Sequence, residues 1–203
     1  MSLKNPGWLL VIFLILITVN AFSQNLDIRM LRAVNSSATL PLDGFFRFVS
    51  NSDAAISLGV PAVISAAGFI KHNDDLKRSG LVTITAVGIS SGITLALKYT
   101  INRYRPFVTY PDITKKSKGG SPSFPSGHTS SAFALSTSLS LNYPKWYIIA
   151  PSFIWAGTVG FSRMDLGVHY PSDVFAGALV GAGSAWLTHA VNKKLVQKHE
   201  KKQ

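Results

Sequence analysis

Cysteine is absent from the 203-residue sequence. Disulfide bonds, thiol nucleophiles and thiolate metal sites are therefore excluded. Charge is also scarce, because charged residues make up 14% of the chain and about a quarter is usual in soluble domains. The sequence contains no internal repeat and no low-complexity segment. Its length suits one domain with a substantial core.

The few charged residues cluster and leave long segments without any formal charge. Five such segments have lengths near the short end of the roughly 17–25 residues that cross a bilayer: 54–70, 79–97, 129–144, 146–162 and 174–192. This pattern predicts an all-α helical bundle that is integral to a membrane, with about five to six transmembrane helices including the N-terminal segment. A soluble bundle of buried helices is the alternative, because Ser, Thr and Gly are frequent inside these segments.

The N-terminal 25 residues, MSLKNPGWLLVIFLILITVNAFSQN, contain one lysine and an apolar run from Trp8 to Val19. Ala21 and Ser23 have the spacing of a cleavage site. Residues 1–23 are therefore predicted to be a signal peptide or a first transmembrane helix, and either one exports the following segment. The remaining chain divides into a main domain, 24–192, and a basic cytoplasmic tail, 193–203.

The net charge of +11 is concentrated in the tail, in the connector 71–78 and in the segment 98–118. Lysine and arginine at cytoplasmic membrane faces are expected from the positive-inside rule, so we do not expect nucleic acid as a partner. If each apolar segment crosses the membrane once, the connector and the tail lie inside, whereas 98–118 and 163–173 lie outside. A basic segment on the outer side contradicts the rule and indicates an anionic ligand.

Three short motifs fall on this outer face. They are Lys98 with Arg105-Pro106, then Pro125-Ser126-Gly127-His128, and then Ser162-Arg163 with His169 and Asp173. Guanidinium groups bind phosphate oxygens in pairs, and a helix that starts at a serine and a glycine offers neutral donors to an anion. The motifs therefore predict an external anion site that also contains two histidines and a carboxylate.

The motifs and their spacing resemble the signature of the type 2 phosphatidic acid phosphatase (PAP2) superfamily, which also contains bacterial class A acid phosphatases and vanadium haloperoxidases. The resemblance covers residues 98–173, and the helical layout extends it over most of the chain. It implies a metal-independent phosphatase without a cofactor, which acts on a phosphorylated membrane lipid. Lipid A, undecaprenyl pyrophosphate, phosphatidylglycerophosphate and phosphatidic acid are candidate substrates. The export pattern and small size suggest a bacterial inner-membrane protein with a periplasmic active site.

The resemblance also implies a role for each motif residue. His169 would attack phosphorus and form a phosphohistidine, and Asp173 would fix the tautomer and orientation of its ring. His128 would protonate the leaving oxygen and then activate water. The remaining residues would bind the phosphoryl oxygens and stabilise charge in the transition state: Lys98, Arg105, Ser126, Gly127 and Arg163.

Several of these residues have simpler interpretations. His169 and Asp173 could share a helical face as a metal pair, although Pro171 favours a helix that begins near 171, and no further ligand cluster is present in the sequence. Arg163 and Asp165 could form a local ion pair, and Lys98 and Arg103 could be interfacial anchors. The histidines outside the motifs are predicted to be structural or solvated: His72, His189 and His199.

Three other functions are compatible with parts of the sequence. These are a secreted acid phosphatase of the same superfamily, a vanadate-dependent haloperoxidase and a non-catalytic lipid-binding membrane protein. The complete motif set argues against the last, and the uncharged segments argue against the first. The sequence determines neither the substrate nor the oligomeric state, but the basic loop 115–118 suggests a substrate with additional negative charge.

Overall fold

The computed structural model describes residues 25–35 and 42–200. Within these ranges the chain is helical and contains no strand. Seven helices follow one another there: α1 (25–34), α2 (Asp43–Ile70), α3 (Asp74–Ile101), α4 (Pro106–Thr109), α5 (Gly127–Asn142), α6 (Trp146–Asp165) and α7 (Pro171–Glu200). The predicted signal peptide or first transmembrane helix, 1–23, lies outside the described residues. The predicted tail boundary at 192/193 falls inside α7.

Local sequence explains where the helices begin and end. The Asn73 side chain caps α3 by accepting a bond from the Leu76 amide at 3.0 Å, and Ser126 occupies the same position at α5. α7 begins at Pro171, as predicted, because proline has no amide hydrogen to lose in a first turn. α3 ends at Ile101, and its C-cap residue Asn102, whose backbone is left-handed (φ 49°), turns the chain toward Arg105.

The outer surface of the bundle is suited to lipid. Three described segments are long and apolar enough to cross a membrane: Asp43–Ile70, Asp74–Thr109 and Pro171–Lys198. The shorter α5, with 16 residues, spans about 24 Å at the helical rise. Large apolar side chains such as Val63, Ile154 and Phe175 point outward and are about two-thirds exposed. The fold is thus the all-α membrane bundle that the uncharged segments predict.

Helix α5 lies at the centre of the bundle and packs against α2, α3, α6 and α7. Its contact with α7 is close because glycines face it. A Cβ added at Gly181 would lie 2.2 Å from the Ser130 carbonyl oxygen, and one at Gly177 would lie 2.6 Å from the Ser126 carbonyl oxygen. Small residues allow such backbone approach between membrane helices. The starts of α5 and α7 are therefore held side by side.

A row of hydroxyl groups joins α3 to α5. Thr94 donates to Ser130 at 2.9 Å, and the Thr83 and Ser138 hydroxyls lie 2.8 Å apart. In a lipid environment such groups need partners within the protein. The bonds fix the register of the two helices, so the end of α3 and the start of α5 lie at the same end of the bundle.

Helix α1 covers this end. Ile28 and Leu31 are buried against Ile113 and Tyr170, and Phe107, Tyr110 and Met164 pack around them. This small apolar cluster anchors the 107–114 segment over the region where the three sequence motifs converge.

Candidate active site

The three motifs lie together at one end of the bundle. A cavity of about 360 Å³ is lined there by Lys98 from α3, by Gly127 and His128 from α5, and by Asp53 from α2. Lys98 and Arg163 are close enough to His128 for their charges to act on its ring. The predicted site residues, which are up to 75 positions apart in the sequence, are therefore neighbours in space.

Histidine 169 is buried between a cation and a carboxylate. Its Nε2 atom lies 3.2 Å from the Arg105 guanidinium, and its Nδ1 atom lies 3.3 Å from the Asp173 carboxylate. A guanidinium only donates hydrogen bonds, so Nε2 accepts and carries a lone pair. The proton therefore resides on Nδ1 and is donated to Asp173. This tautomer leaves Nε2 as the nucleophilic atom.

Burial keeps the His169 ring neutral. The imidazole is almost fully buried, and this desolvation lowers the pKa of His169 to about 3, with Asp173 opposing the shift. The direction agrees with the tautomer derived from the Arg105 contact. A neutral imidazole is the form that can attack an electrophile.

Asp173 is held by more groups than the motif suggests. It accepts hydrogen bonds from the Ser123 hydroxyl and from the Tyr170 amide at 2.9 Å. Arg103 also donates to its Oδ1 atom at 2.7 Å. With His169, these contacts leave the fully buried carboxylate no freedom to rotate. Both residues lie outside the motif positions. Sequence reasoning therefore missed Ser123 and interpreted Arg103 only as an interfacial anchor.

Arg103 is not the interfacial anchor that the sequence suggested. It forms an ion pair with Asp27 of α1 at 2.8 Å in addition to its pair with Asp173, and its guanidinium lies 3.8 Å from the centre of the Tyr170 ring. Asp27 also accepts from the Ser172 amide at 2.8 Å. The anchor prediction was wrong because helix α1, which supplies Asp27, is distant in sequence.

The three motif cations are bonded to neutral groups. Lys98 donates to the Pro122 carbonyl at 2.6 Å, Arg105 donates to the Ser121 and Val168 carbonyls at 2.8 and 2.7 Å, and Arg163 donates to the Ser50 hydroxyl. Among the described residues none of them forms an ion pair, and the buried Arg163 Nε atom has no partner. Their positive charge is therefore available to an anion. Lys98 is buried, so the anchor interpretation fails for it as well.

The start of α5 presents the second motif. The Ser126 hydroxyl accepts from the Thr129 hydroxyl at 2.8 Å and from the Thr129 amide at 3.4 Å, which makes Ser126 the helix cap. The hydroxyl still has its own proton to donate. Gly127 and His128 follow on the cavity wall, where the first-turn amides and the helix dipole favour an anion.

Asp53 is a buried carboxylate on the cavity wall that sequence reasoning missed. It accepts from Ser131 at 2.7 Å and from Ser57 at 2.9 Å. Ser131 also bonds to the His128 carbonyl at 3.1 Å, so Asp53 is linked to the turn that carries His128. Asp53 directly precedes the uncharged segment 54–70. A carboxylate at that place indicates a functional site only when it is predicted to be buried, since intramembrane carboxylates are costly.

The two alternative interpretations of the third motif do not fit this geometry. Arg163 bonds to Ser50, and the buried Asp165 Oδ2 has no hydrogen-bond partner among the described residues, so these two residues are not an ion pair. The guanidinium of Arg105 occupies the position in front of His169 Nε2, where a metal would bind. In the described part of the chain, no three residues of metal-ligating type are grouped together.

Several relatives of the chain carry the names of phosphatases. A lipid A 4'-phosphatase from Bacteroides thetaiotaomicron is 33% identical over 46% of this chain and 42% of its own length, so this chain spans less than half of that relative. An undecaprenyl-diphosphatase from Sulfolobus acidocaldarius is 31% identical over 89% of this chain and 87% of its own length.

Two solved structures have a fold similar to that of this chain. Aquifex aeolicus LpxE superposes with a TM-score of 0.69 at 29% identity, over 81% of this chain and 95% of its own. The transmembrane PAP2-type phosphatidylglycerolphosphate phosphatase from Bacillus subtilis superposes with a TM-score of 0.72 at 26% identity, over 93% and 96%. The PAP2 superfamily model matches residues 79–197, which include all three motifs. The chain belongs to the PAP2 superfamily.

Proposed function

We propose that this chain is a metal-independent phosphatase that removes a phosphate from a membrane lipid phosphate or pyrophosphate through a phosphohistidine intermediate. The observation that carries the proposal is the juxtaposition of the neutral His169 Nε2 atom with three cations that have no carboxylate partner. A nucleophile beside positive charges that form no ion pair suits attack on a phosphoryl group. The enzymatic names of the relatives agree with this chemistry.

In the first step, the phosphoryl oxygens accept bonds from Lys98, Arg105 and Arg163, and from the first-turn donors of α5. Arg105 then turns its donors from His169 Nε2 to the phosphate, which frees the lone pair. Nε2 attacks phosphorus while the bond from phosphorus to the lipid oxygen breaks. His128 enters this step as the imidazolium and donates a proton to that oxygen, and Asp173 stabilises the charge that develops on the His169 ring.

In the second step, His128 acts as a base. It accepts a proton from water, and the water oxygen attacks phosphorus as the bond from phosphorus to Nε2 breaks. Inorganic phosphate leaves, and His169 returns to its neutral form with the Nδ1 proton still directed at Asp173. The cations stabilise the transition states of both steps, so no cofactor is required.

The proposed substrate is an envelope lipid and the proposed location is a bacterial inner membrane, with the active site on the periplasmic face. Three observations support this assignment: the lipid-exposed bundle, the named substrates of the relatives, and the distribution of lysine and arginine. The site lies at the end of the bundle opposite the basic connector 71–78, as the positive-inside rule requires for an external site.

The test is phosphate release by the detergent-solubilised protein from four lipids: lipid A, undecaprenyl pyrophosphate, phosphatidylglycerophosphate and phosphatidic acid. We expect activity on at least one lipid in the presence of a chelator. Vanadate should inhibit, because its five-coordinate form imitates the phosphoryl transition state. Activity that disappears with chelator and returns with a divalent ion would refute the histidine mechanism.

A further inference from the structure

A second basic cavity lies beside the candidate active site and is not used by the mechanism. Its volume is about 570 Å³, and its lining combines α2 with the loop before α5: Arg47, Asn51, Lys115, Lys116, Ser117 and Lys118. Four of the six lining residues carry positive charge. Such a concentration is costly without a counter-charge, because like charges at short range repel one another.

Carboxylates only partly compensate this charge. Lys116 pairs with Asp43 at 2.9 Å, and the charge of Lys116 also acts on Asp165. The other cations, Arg47, Lys115 and Lys118, form no ion pair with any carboxylate in 25–35 or 42–200. The cavity therefore keeps a net positive charge.

The loop that carries the lysines is fixed to the active-site loop. Asn35 accepts from the Thr114 amide at 2.8 Å and donates to the Thr114 carbonyl at 3.0 Å, and the Lys116 amide donates to the Leu166 carbonyl at 3.0 Å. Gly167 adopts a φ of +70° and lies so close that an added Cβ would be 2.3 Å from the Thr114 oxygen. The backbone of the lysine loop is thus bonded to Leu166, which precedes His169 by three residues.

Arg47 lies on the same helix as residues of the first site. It precedes Ser50, the hydrogen-bond partner of Arg163, by three residues, which is about 4.5 Å along the axis of α2. The two cavities nevertheless share no lining residue. Two anions bound in them would therefore belong to different parts of one headgroup.

We propose that the second basic cavity binds a second phosphate or carboxylate on the headgroup of the lipid whose phosphate is hydrolysed. This inference rests on the proposed function and narrows its substrate to lipids that carry two separated anionic groups. Free inorganic phosphate and the anionic surface of a bilayer also carry negative charge that this cavity could bind. The experiment therefore tests the headgroup, inorganic phosphate and anionic vesicles separately.

The kinetic arm compares the wild type with an Arg47→Gln/Lys118→Gln variant in neutral detergent. The substrates are a lipid with two separated phosphates and its one-phosphate analogue with identical tails. Loss of charge-assisted hydrogen bonds should raise KM for the first lipid about 10-fold or more at similar kcat, and leave the second within about two-fold. Arg78→Gln/Lys145→Gln, which removes two charges at the opposite end, is the matched control and should change neither value.

Equal effects on both lipids would assign the charges to general attraction at the micelle surface and overturn the proposal. An unchanged KM for the two-phosphate lipid would overturn it as well. An equal rise in KM for the two-phosphate lipid in the Arg78→Gln/Lys145→Gln control would also overturn the proposal. It would show that the position of the removed charges in the fold does not matter.

The binding arm does not depend on turnover. The His169→Ala variant is acetylated on lysine in the presence of a tail-free headgroup with two phosphates, of inorganic phosphate, or of anionic lipid vesicles. We expect the headgroup to protect Lys115 and Lys118 but not Lys145. No protection by the headgroup, or equal protection by inorganic phosphate or vesicles, would overturn the proposal. Protection without activity of the wild type on any lipid would refute the proposed function and leave the second anion site standing.

Discussion

At the scale of single residues, the two nitrogens of His169 have different partners, and this difference determines its chemistry. Asp173 accepts from Nδ1, and Arg105 donates to the Nε2 lone pair. In the proposed mechanism, a phosphate replaces Nε2 as the acceptor of the Arg105 donors. His128 lies on the wall of the adjacent cavity, where a leaving oxygen or a water can reach it. The proposed mechanism therefore assigns the two histidines to different steps.

The two histidine variants should behave differently. His169→Ala removes the nucleophile, so no phosphoenzyme should form and turnover should fall to background. His128→Ala removes the proton donor, which typically contributes about 10²–10⁴-fold. A nitrophenyl phosphate, whose leaving group needs little protonation, should still phosphorylate His169 in this variant, and the phosphohistidine should accumulate because water attack lacks its base.

The measurement is rapid quench at alkaline pH, where phosphohistidine survives, followed by quantification of labelled protein. The wild type with the same substrate is the control. A phosphoenzyme trapped by His169→Ala but absent from His128→Ala would reverse the two assignments.

Arg103 should act as a positioning residue, because it contacts Asp173 and not the cavity. Arg103→Gln should lower kcat about 10–100-fold, the range reported for groups that orient a functional histidine, with KM within about two-fold. Arg103→Lys should recover part of the loss, since one ammonium can still pair with Asp173. A change in KM alone, or equal losses in Gln and Lys variants with lowered thermal stability, would assign Arg103 a purely structural role.

At the scale of helices, the packing of α5 on α7 places the turn that carries Ser126 and His128 beside the start of α7. The contact depends on glycines of α7 that admit the α5 backbone, and the Ser126 amide donates directly to the Asp173 carbonyl at 2.9 Å. A separation of these two helices would move His128, the proposed proton donor, away from His169, the proposed nucleophile. The geometry of the site therefore depends on the glycines of α7 as well as on its charged residues.

Gly181→Ala tests this packing. The added Cβ would lie 2.2 Å from the Ser130 oxygen and 2.8 Å from the Ala134 amide nitrogen, so α7 must shift. We expect a loss of about 1–3 kcal/mol in unfolding free energy and lower kcat, measured by thermal unfolding and phosphate release in detergent. Gly88→Ala on α3 is the matched control, because a Cβ there meets no atom within 4 Å. Equal behaviour of the two variants would contradict the packing argument.

At the scale of the whole molecule, apolar side chains cover the outside of the bundle, whereas serine, threonine and charged groups lie inside it. Phe48, Val63 and Ile154 are about 70% exposed, and the fully buried residues include Ser126, Thr129 and Asp173. Exposed apolar side chains, together with buried polar groups that find partners within the protein, suit a bundle that lipid surrounds.

We therefore expect the protein to stay with membranes after carbonate and high-salt washing, and to need detergent for extraction. Immunoblotting of the washed membrane, the wash and the soluble periplasmic fraction gives the result directly. Recovery in the soluble fraction without detergent would favour the secreted acid phosphatase instead. A known inner-membrane protein and a known periplasmic protein serve as controls in the same fractionation.

The sequence by itself determined the helical class, the clustering of the three motifs at one end and the residues of each motif. Hydrophobic segment length and turn chemistry are local properties, so the starts of α5 at Gly127 and α7 at Pro171 could be predicted from a few neighbours. The motif residues could be identified because their spacing along the chain resembles a known signature. Their roles remain predictions until the variants are measured.

Only the tertiary structure revealed the groups that hold the site together. These groups form hydrogen bonds with residues far away in the sequence. The separations are 76 positions for Asp27 and Arg103, 78 for Asp53 and Ser131, and 50 for Ser123 and Asp173. Asn35 bonds to Thr114, 79 positions away, and so holds the loop that lines the second basic cavity. Such contacts depend on which helix faces which, and that is decided by glycine positions and hydroxyl pairs distributed over the bundle. No local pattern encodes a partner that distant, so these residues became visible only in the fold.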